Sequence, residues 1–279
     1  MKRAIALGTF DGVHKGHRAV LQLPDDMKKT AVIFALPPKA LLSGEPRSIM
    51  TAKDKCAALK KIGIDEVFAL DFNRVKDMPP EAFMRFLKEN FSPDLISCGF
   101  NYHFGKNAAG NTEMLGDFCR ENSIEFNCHS SVCEGGEPIS STRIREYLKN
   151  GEIEAANALL TFPFSYTDKV ISGDRRGRTI GFPTINQKYP SELIPIKFGV
   201  YKSKITAEGS EYRGITNIGI RPTFKTDYII SETYIIGFSG DLYGKSVTVQ
   251  PLKFVRGEVK FSSADELKRQ IEADIKEWN

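Results

Sequence analysis

From Arg3 to Gly8 the chain reads RAIALG, an apolar run of strand length that stops at a glycine. Similar runs recur at TAVIFAL (30–36), IDEVFAL (64–70), DLISCG (94–99) and IEFNC (124–128). Near-continuous apolar runs suit strands covered on both faces. Between them the apolar positions take helical spacing, in TAKDKCAALKKIG, in PPEAFMRFLKENF (Phe83, Phe86, Leu87, Phe91) and in NTEMLGDFCREN. HRAVLQL predicts only a short helix, because Pro24 follows it. Thr51, with Asp54 three residues on, reads as a helix start and Gly63 as its stop. This alternation predicts an α/β domain with a parallel sheet and helices on its faces. Ligands of such sheets gather beyond the carboxyl ends of the strands, where the loop after RAIALG lies.

SSTRIREYLKNG and EIEAANALL predict two more helices, and then the texture changes. FGVYKSKITA, YRGITNIGI, YIISETYIIGF and KSVTVQPLKFVRGEVKF are β-branched and aromatic, separated by turn residues. They predict an antiparallel barrel or sandwich. SSADELKRQIEADIKEW predicts a closing amphipathic helix capped by Ser262 or Ser263, with Leu267, Ile271 and Ile275 inward. The change of texture near 158–164 predicts two domains, 1–160 and 161–279, with no long linker between them.

Charge narrows the function only slightly. Thirty-nine basic against 35 acidic residues leave +4, a weak bias toward anionic ligands that lacks the dense basic stripe of a nucleic-acid binder. The five cysteines lie in the first half, are odd in number and form no CxxC. They predict reduced, mostly buried thiols in a cytoplasmic protein. No apolar run reaches the ~20 residues of a membrane span, and MKRAIALGTFDG has no signal-peptide core.

Two of the four histidines, His14 and His17, flank Gly16 in GVHKGH, at the junction of a loop and a helix. Free backbone N–H groups there suit phosphates, and Gly16 allows close approach. Two imidazoles can donate hydrogen bonds to a polyphosphate that keeps them protonated. A zinc pair is the alternative, but no third ligand lies nearby in sequence. In ISSTRIR (139–145), Ser140, Ser141 and Thr142 crowd a helix start. Arg143 and Arg145 follow where cations oppose the helix dipole, so an anion there would explain them. Solvated arginines behind a plain cap remain the alternative.

The second half offers ISGDRRGRTIGFPTIN (171–186). Its glycines can wrap phosphates, and Thr184 and Asn186 are hard oxygen donors suited to Mg²⁺. GFPT is equally compatible with a simple turn. In SETYIIGF, Glu232 shares a strand face with Tyr234 and Ile236. That face points either into the barrel, where a carboxylate is costly without a task or partner, or outward.

Taken together, GTFDGVHKGH and ISSTRIR resemble the nucleotidylyltransferase superfamily, whose HxGH and ISSTxxR signatures grip ATP phosphates. TAKDKCAALKKIGIDEVFALDF and GFNYHFGKNAAG narrow the likeness to the FMN adenylyltransferase half of bacterial bifunctional riboflavin kinase/FAD synthetases. Residues 160–279 resemble riboflavin kinase through GDRRGRTIGFPTIN, FGVY, TNIGIRPTF, SETYIIGF, GDLYGK and FVRGEVKF. The resemblance implies a Rossmann-like first domain and an all-β barrel with a terminal helix. It implies Mg²⁺, ATP as co-substrate, and riboflavin, FMN and FAD as substrates or products. In the first domain it gives His14 and His17 a catalytic role on the phosphates, and nucleotide contacts to Gly8, Phe10, Gly16, Ser141, Thr142, Arg143 and Arg145. In the second it lays Gly173, Gly177 and Gly181 over the nucleotide, gives Thr184 and Asn186 to Mg·ATP, and makes Glu232 the general base. Asn101 and Arg256 fall at flavin-binding positions, Arg256 in a loop that helps close over flavin. One departure stands out: IFALPPKALL carries Pro37 where the family has the histidine of a Pro-His-Pro segment. The alternative is a riboflavin kinase only, with a weakened or inactive adenylyltransferase half. A flavin- or nucleotide-sensing protein is a third possibility, against which Glu232 argues.

Overall fold

A computed structural model describes the chain except residues 45–47, 174–176, 178–179, 222–227, 277 and 279, and gives backbone alone at 39, 40, 43 and 221. The α-carbon contacts divide it into two compact units: 1–143 with 159–162, and 144–158 with 163–279.

The first unit is built on five parallel strands, β1 (Arg3–Leu7), β2 (Lys28–Phe34), β3 (Glu66–Leu70), β4 (Leu95–Gly99) and β5 (Glu125–His129), in the order β3-β2-β1-β4-β5. Its helices are α1 (Lys15–Leu21), α2 (Pro38–Ser43), α3 (Ala52–Lys61), α4 (Phe72–Val75), α5 (Pro80–Phe91) and α6 (Thr112–Glu121). Successive side chains of β1 go to opposite faces. Ile5 and Leu7 pack with Phe83, Leu87 and Phe91 of α5 and Leu115 of α6. Ala4 and Ala6 pack with Val20 and Leu21 of α1 and Leu59 of α3. Burying a Leu or Phe side chain of this kind contributes about 1.5–3 kcal/mol, and the four buried positions after Arg3 are all apolar. Thr51 caps α3, accepting from the Asp54 backbone N–H at 3.1 Å.

The chain order reverses between β1 and β4, so the loops after these neighbouring strands flank a crevice at their carboxyl ends. A short hairpin, β6 (Cys133–Glu134) with β7 (Glu137–Pro138), precedes α7 (Ser141–Asn150). The cysteines depart from expectation. All five are unpaired, but only Cys98 and Cys119 are buried; Cys56 is half-buried and Cys128 and Cys133 are exposed.

In the second unit β8 (Tyr166–Ile171), β9 (Thr184–Lys188), β10 (Gly199–Ala207), β11 (Ser210–Arg221), β12 (Tyr228–Ile235) and β13 (Ser246–Arg256) close a barrel in the order β10-β11-β12-β9-β8-β13. Closure decides between barrel and sandwich. Most of α7 and of α8 (Ile153–Leu159) group with this barrel. The Lys197 backbone N–H donates to the Leu148 carbonyl at 3.2 Å. The terminal helix, α9 (Ala264–Lys276), is capped by Ser263, whose hydroxyl accepts from the Glu266 N–H at 3.2 Å. Leu267, Ile271 and Ile275 are half-buried, whereas Asp274 is 2% exposed.

Candidate active sites

The loop after β1 is strained. Phe10 (φ 48°) and Val13 (φ 41°) join Gly12 (φ 79°) in the left-handed region, which bulky and β-branched residues avoid. Packing holds them there: Phe10 is 2% and Val13 0% exposed. A Cβ on Gly8 would lie 2.8 Å from the Phe10 ring, so only glycine fits against it. Asp11, 1% exposed, accepts from the Ile49 N–H at 2.9 Å. Its carbonyl accepts from the Ser141 hydroxyl at 3.0 Å, tying this loop to the start of α7.

His14 and His17 stack face to face, with ring centroids 3.4 Å apart and planes at 16°. The His14 backbone N–H donates to His17 Nδ1 at 3.2 Å. An accepting Nδ1 puts the proton of a neutral His17 on Nε2. Burial pushes the His17 imidazole well below its usual range, helped by the nearby His14 and Lys55. The protonated imidazole expected from the sequence therefore depends on a nearby anion, which favours the charged form. A Cβ on Gly16 would lie 3.1 Å from His14 Nδ1 and 3.3 Å from the Ile139 carbonyl. GVHKGH and ISSTRIR are thus pressed together at that glycine.

Ser140 caps α7, its hydroxyl accepting from the Arg143 N–H at 3.2 Å. Arg143 turns to the preceding hairpin, donating to the carbonyls of Glu134 at 3.1 Å and Glu137 at 3.2 Å and pairing with the Glu137 carboxylate at 3.3 Å. Lys15 pairs with Glu134 at 3.4 Å. A local carboxylate, Glu137, therefore pairs with one of the two arginines that the sequence suggested an anion would explain. Thr142 is exposed, and Arg145 lies two residues further along α7, in the part grouped with the barrel. Asn101 follows β4 at the adjacent strand end and is exposed; its side-chain oxygen lies over Gly99, 3.4 Å from where a Cβ would stand. Pro37 is buried and immediately precedes α2, its carbonyl accepting from the Leu41 N–H at 3.1 Å, with Pro38 as the first helical residue. A proline there offers no side-chain donor.

In the barrel, Thr184 and Asn186 lie in β9, a strand that the local sequence does not predict. Asn186 stands opposite Glu232, and Thr184 opposite Tyr234. Directly opposed residues share a face. The other face of β12 is buried: Ser231 accepts from the Tyr166 hydroxyl at 2.7 Å, and Thr233 meets Thr216 at 3.0 Å. These hydroxyl pairs fill the barrel, so half-buried Glu232 points outward, beside Asn186. Asn186 is 5% exposed, yet among the described residues its Oδ1 has no hydrogen-bond partner. Gly173 covers it: a Cβ there would fall 2.5 Å from Asn186 Cγ. Gly177 is bound into a turn by Phe182, whose N–H donates to its carbonyl at 2.8 Å, and a Cβ on Gly177 would meet Thr184 Oγ1 at 3.6 Å. Gly181 takes φ 87° in the same turn. Arg175, Arg176 and Arg178 lie outside the described residues.

Arg256 is the last residue of β13. Its guanidinium grips Asp274 of α9 through two nitrogens, at 3.1 and 2.8 Å. Gln270 donates to the same carboxylate at 2.9 Å. The fork is thus used in docking the terminal helix. One buried residue escaped the sequence reading: Lys55 of α3, fully buried, reaches the loops after β1 and β2. Its signal was hidden among the lysines of AKDKCAALKK.

Known proteins resemble the chain along nearly its whole length. Residues 1–143 match the FAD synthetase family and residues 160–279 the riboflavin kinase family. The bifunctional riboflavin kinase/FMN adenylyltransferase of Listeria monocytogenes is 33% identical over 98% of this chain and 90% of its own. Its counterpart in Escherichia coli K12 is 33% identical over 97% and 90%. A crystal structure of a Streptococcus pneumoniae protein described as a macrolide-efflux protein superposes with a TM-score of 0.89 at 29% identity, covering 99% of this chain and 93% of that one. No described helix here is long and apolar enough to cross a membrane. The chain belongs to the family of bifunctional riboflavin kinases/FMN adenylyltransferases.

Proposed function

We infer that the chain phosphorylates riboflavin to FMN with ATP, and transfers the adenylyl group of a second ATP to FMN, giving FAD and pyrophosphate. Residues 1–160 would carry adenylyl transfer and residues 161–279 the kinase step. The observation that carries the reading is that each compact unit holds its own constellation, and each suits a different nucleophile.

The kinase nucleophile is the ribityl 5′-hydroxyl, a neutral alcohol. It profits from a base, worth about 10²–10⁴ in rate. Glu232 stands beside the capped Asn186 and would take the hydroxyl proton as the oxygen–phosphorus bond forms and ADP leaves. The buried Oδ1 of Asn186, without a hydrogen-bond partner among the described residues, and the Thr184 hydroxyl on the same face fit Mg²⁺, which takes hard oxygens. Bound there, the ion would neutralise charge on the phosphate oxygens. Gly173 and Gly177 leave room for the nucleotide chain where any side chain would displace Asn186 or collide with the Phe182 carbonyl.

The adenylyl-transfer nucleophile is the FMN phosphate, already anionic, so no base is needed. The α-phosphate must be approached against charge repulsion, and the leaving pyrophosphate stabilised. His17 Nε2–H, His14, Ser141, Arg143 and the backbone beside Gly16 are the donors that would serve it, with Asn101 at the neighbouring strand end toward the flavin. Pro37 removes a donor from the loop after β2 and favours a slower adenylyl step without dismantling this cradle. The unpaired thiols fit a reducing, cytoplasmic setting.

The test is product analysis. The protein with Mg·ATP should convert riboflavin to FMN and supplied FMN to FAD. FMN formation with no FAD over long incubation would reduce the assignment to a kinase.

A further inference from the structure

Glu232 of β12 is flanked by an asparagine on each neighbouring strand. Asn186 of β9 stands directly opposite it on one side, and Asn217 of β11 on the other. Directly opposed residues share a face, with Cβ atoms about 4.5–5.5 Å apart. Thr216, the residue before Asn217, meets Thr233 inside the barrel at 3.0 Å, so Asn217 faces outward with Glu232. Asn186, Glu232 and Asn217 thus form one polar row across neighbouring strands. The next position of the row, on β10, is Val200, which is buried and apolar. Asn217 is half-buried, and among the described residues its side-chain amide makes no hydrogen bond. Two residues along the same face, Gly219 is covered by the Glu258 carboxylate, which lies where a Cβ would stand. The order of the row gives its two ends different tasks. Asn186 and Thr184 make the end that suits the ion and the nucleotide. In phosphoryl transfer the attacking and leaving oxygens lie in line on opposite sides of phosphorus. The alcohol therefore reaches Glu232 from the side away from Asn186, which is the side of Asn217. An amide both donates and accepts, as a hydroxyl does, so it suits a chain of hydroxyls.

We propose that Asn217 binds the ribityl chain of riboflavin, hydrogen-bonding a secondary hydroxyl beside the reacting 5′-hydroxyl and so presenting that end of the chain to Glu232. The proposal rests on the reading of Glu232 as the base of a riboflavin kinase, and the closing experiment keeps the two apart. Full-length wild type, Glu232→Gln and Asn217→Ala are assayed for FMN formation from riboflavin. Their binding of riboflavin and of lumiflavin, which keeps the ring and lacks the ribityl chain, is followed by flavin fluorescence. A wild type that makes no FMN, or a Glu232→Gln enzyme with full turnover, defeats the reading of Glu232 and takes the proposal with it. With that reading upheld, Asn217→Ala should bind riboflavin about tenfold more weakly, the scale of one lost hydrogen bond. Its KM for riboflavin should rise by a similar factor, kcat should change less, and lumiflavin binding should be unchanged. Riboflavin binding at the wild-type level overturns the proposal. So does an equal loss for riboflavin and lumiflavin, which would mark a disturbed ring site, and so does a fall in kcat alone, which would mean that Asn217 acts through Glu232. Should lumiflavin fail to bind wild type, the chain supplies the affinity and the loss for riboflavin decides by itself. Should Asn217→Ala fail to fold, Asn217→Ser, whose short hydroxyl cannot span the same distance, decides by the same comparison.

Discussion

Gly173→Ala tests the kinase site with a single methyl group. The new Cβ would stand 2.5 Å from Asn186 Cγ and 2.8 Å from its Oδ1, whereas ordinary contact begins at 3.4 Å. The cheapest relief is for the Asn186 amide to swing aside by about 1 Å, a displacement that costs about 100-fold when it misplaces a reacting group. That corresponds to about 2.7 kcal/mol of transition-state stabilisation. The fold should lose less, because the displaced atoms end a side chain and no backbone must shift. The assay follows FMN formation from riboflavin under saturating Mg·ATP, with FAD formation from supplied FMN as the internal control. The expected result is a kcat for FMN lowered about 100-fold and an unchanged FAD step. A Gly173→Ala enzyme with wild-type kcat and wild-type KM for ATP would show that the placement of Asn186 does not matter, and would refute the metal-nucleotide assignment.

Glu232→Gln should cut FMN formation by about 10²–10⁴ while riboflavin still binds, as followed by quenching of flavin fluorescence; full turnover would remove Glu232 as base. His17, whose proton affinity is lowered by burial, should titrate at higher pH once Mg·ATP is bound, since the polyphosphate favours the charged form; an NMR titration unmoved by nucleotide contradicts its role as a phosphate donor. The same lowering sets a sign for stability. Between the folded value and 6.5 the unfolded chain binds more proton, so the contribution of His17 is complete above 6.5 and declines as pH falls through that window, measurable as a drop in the denaturant midpoint. Arg256→Gln should destabilise the barrel by about 3–5 kcal/mol, because Asp274 is left buried without its cation; an unchanged melting temperature would free Arg256 for the flavin.

The regular parts of the fold were legible because each rests on a local rule. RAIALG could only be a strand covered on both faces, and Thr51 with Asp54 announced α3. The hairpin of β6 and β7 was legible too and went unread: Gly135 (φ 64°) and Gly136 (φ 80°) provide the two positive φ angles of a tight turn. Other features depend on contacts remote in sequence. β9 owes its existence to pairing with β12 and β8 on its two sides, and its segment TINQK has little strand character alone. Whether Glu232 faced in or out was undecidable from alternation, since the answer lies in the hydroxyl pairs Tyr166–Ser231 and Thr216–Thr233. Lys55 looked like one helical lysine among several until the loops it clamps came together. Arg256 resembled a ligand-facing residue because its partner, Asp274, sits 18 positions away on the last helix.

On the proposed function, two independent sites, one per unit, act in sequence. Mixing two inactivated enzymes tests it most directly. His17→Ala should stop at FMN, and Glu232→Gln should make FAD only from supplied FMN. Neither alone should give appreciable FAD from riboflavin, whereas an equimolar mixture should, as FMN released by the first is used by the second. A mixture that accumulates FMN and yields no FAD, although Glu232→Gln converts supplied FMN, would contradict independent sites.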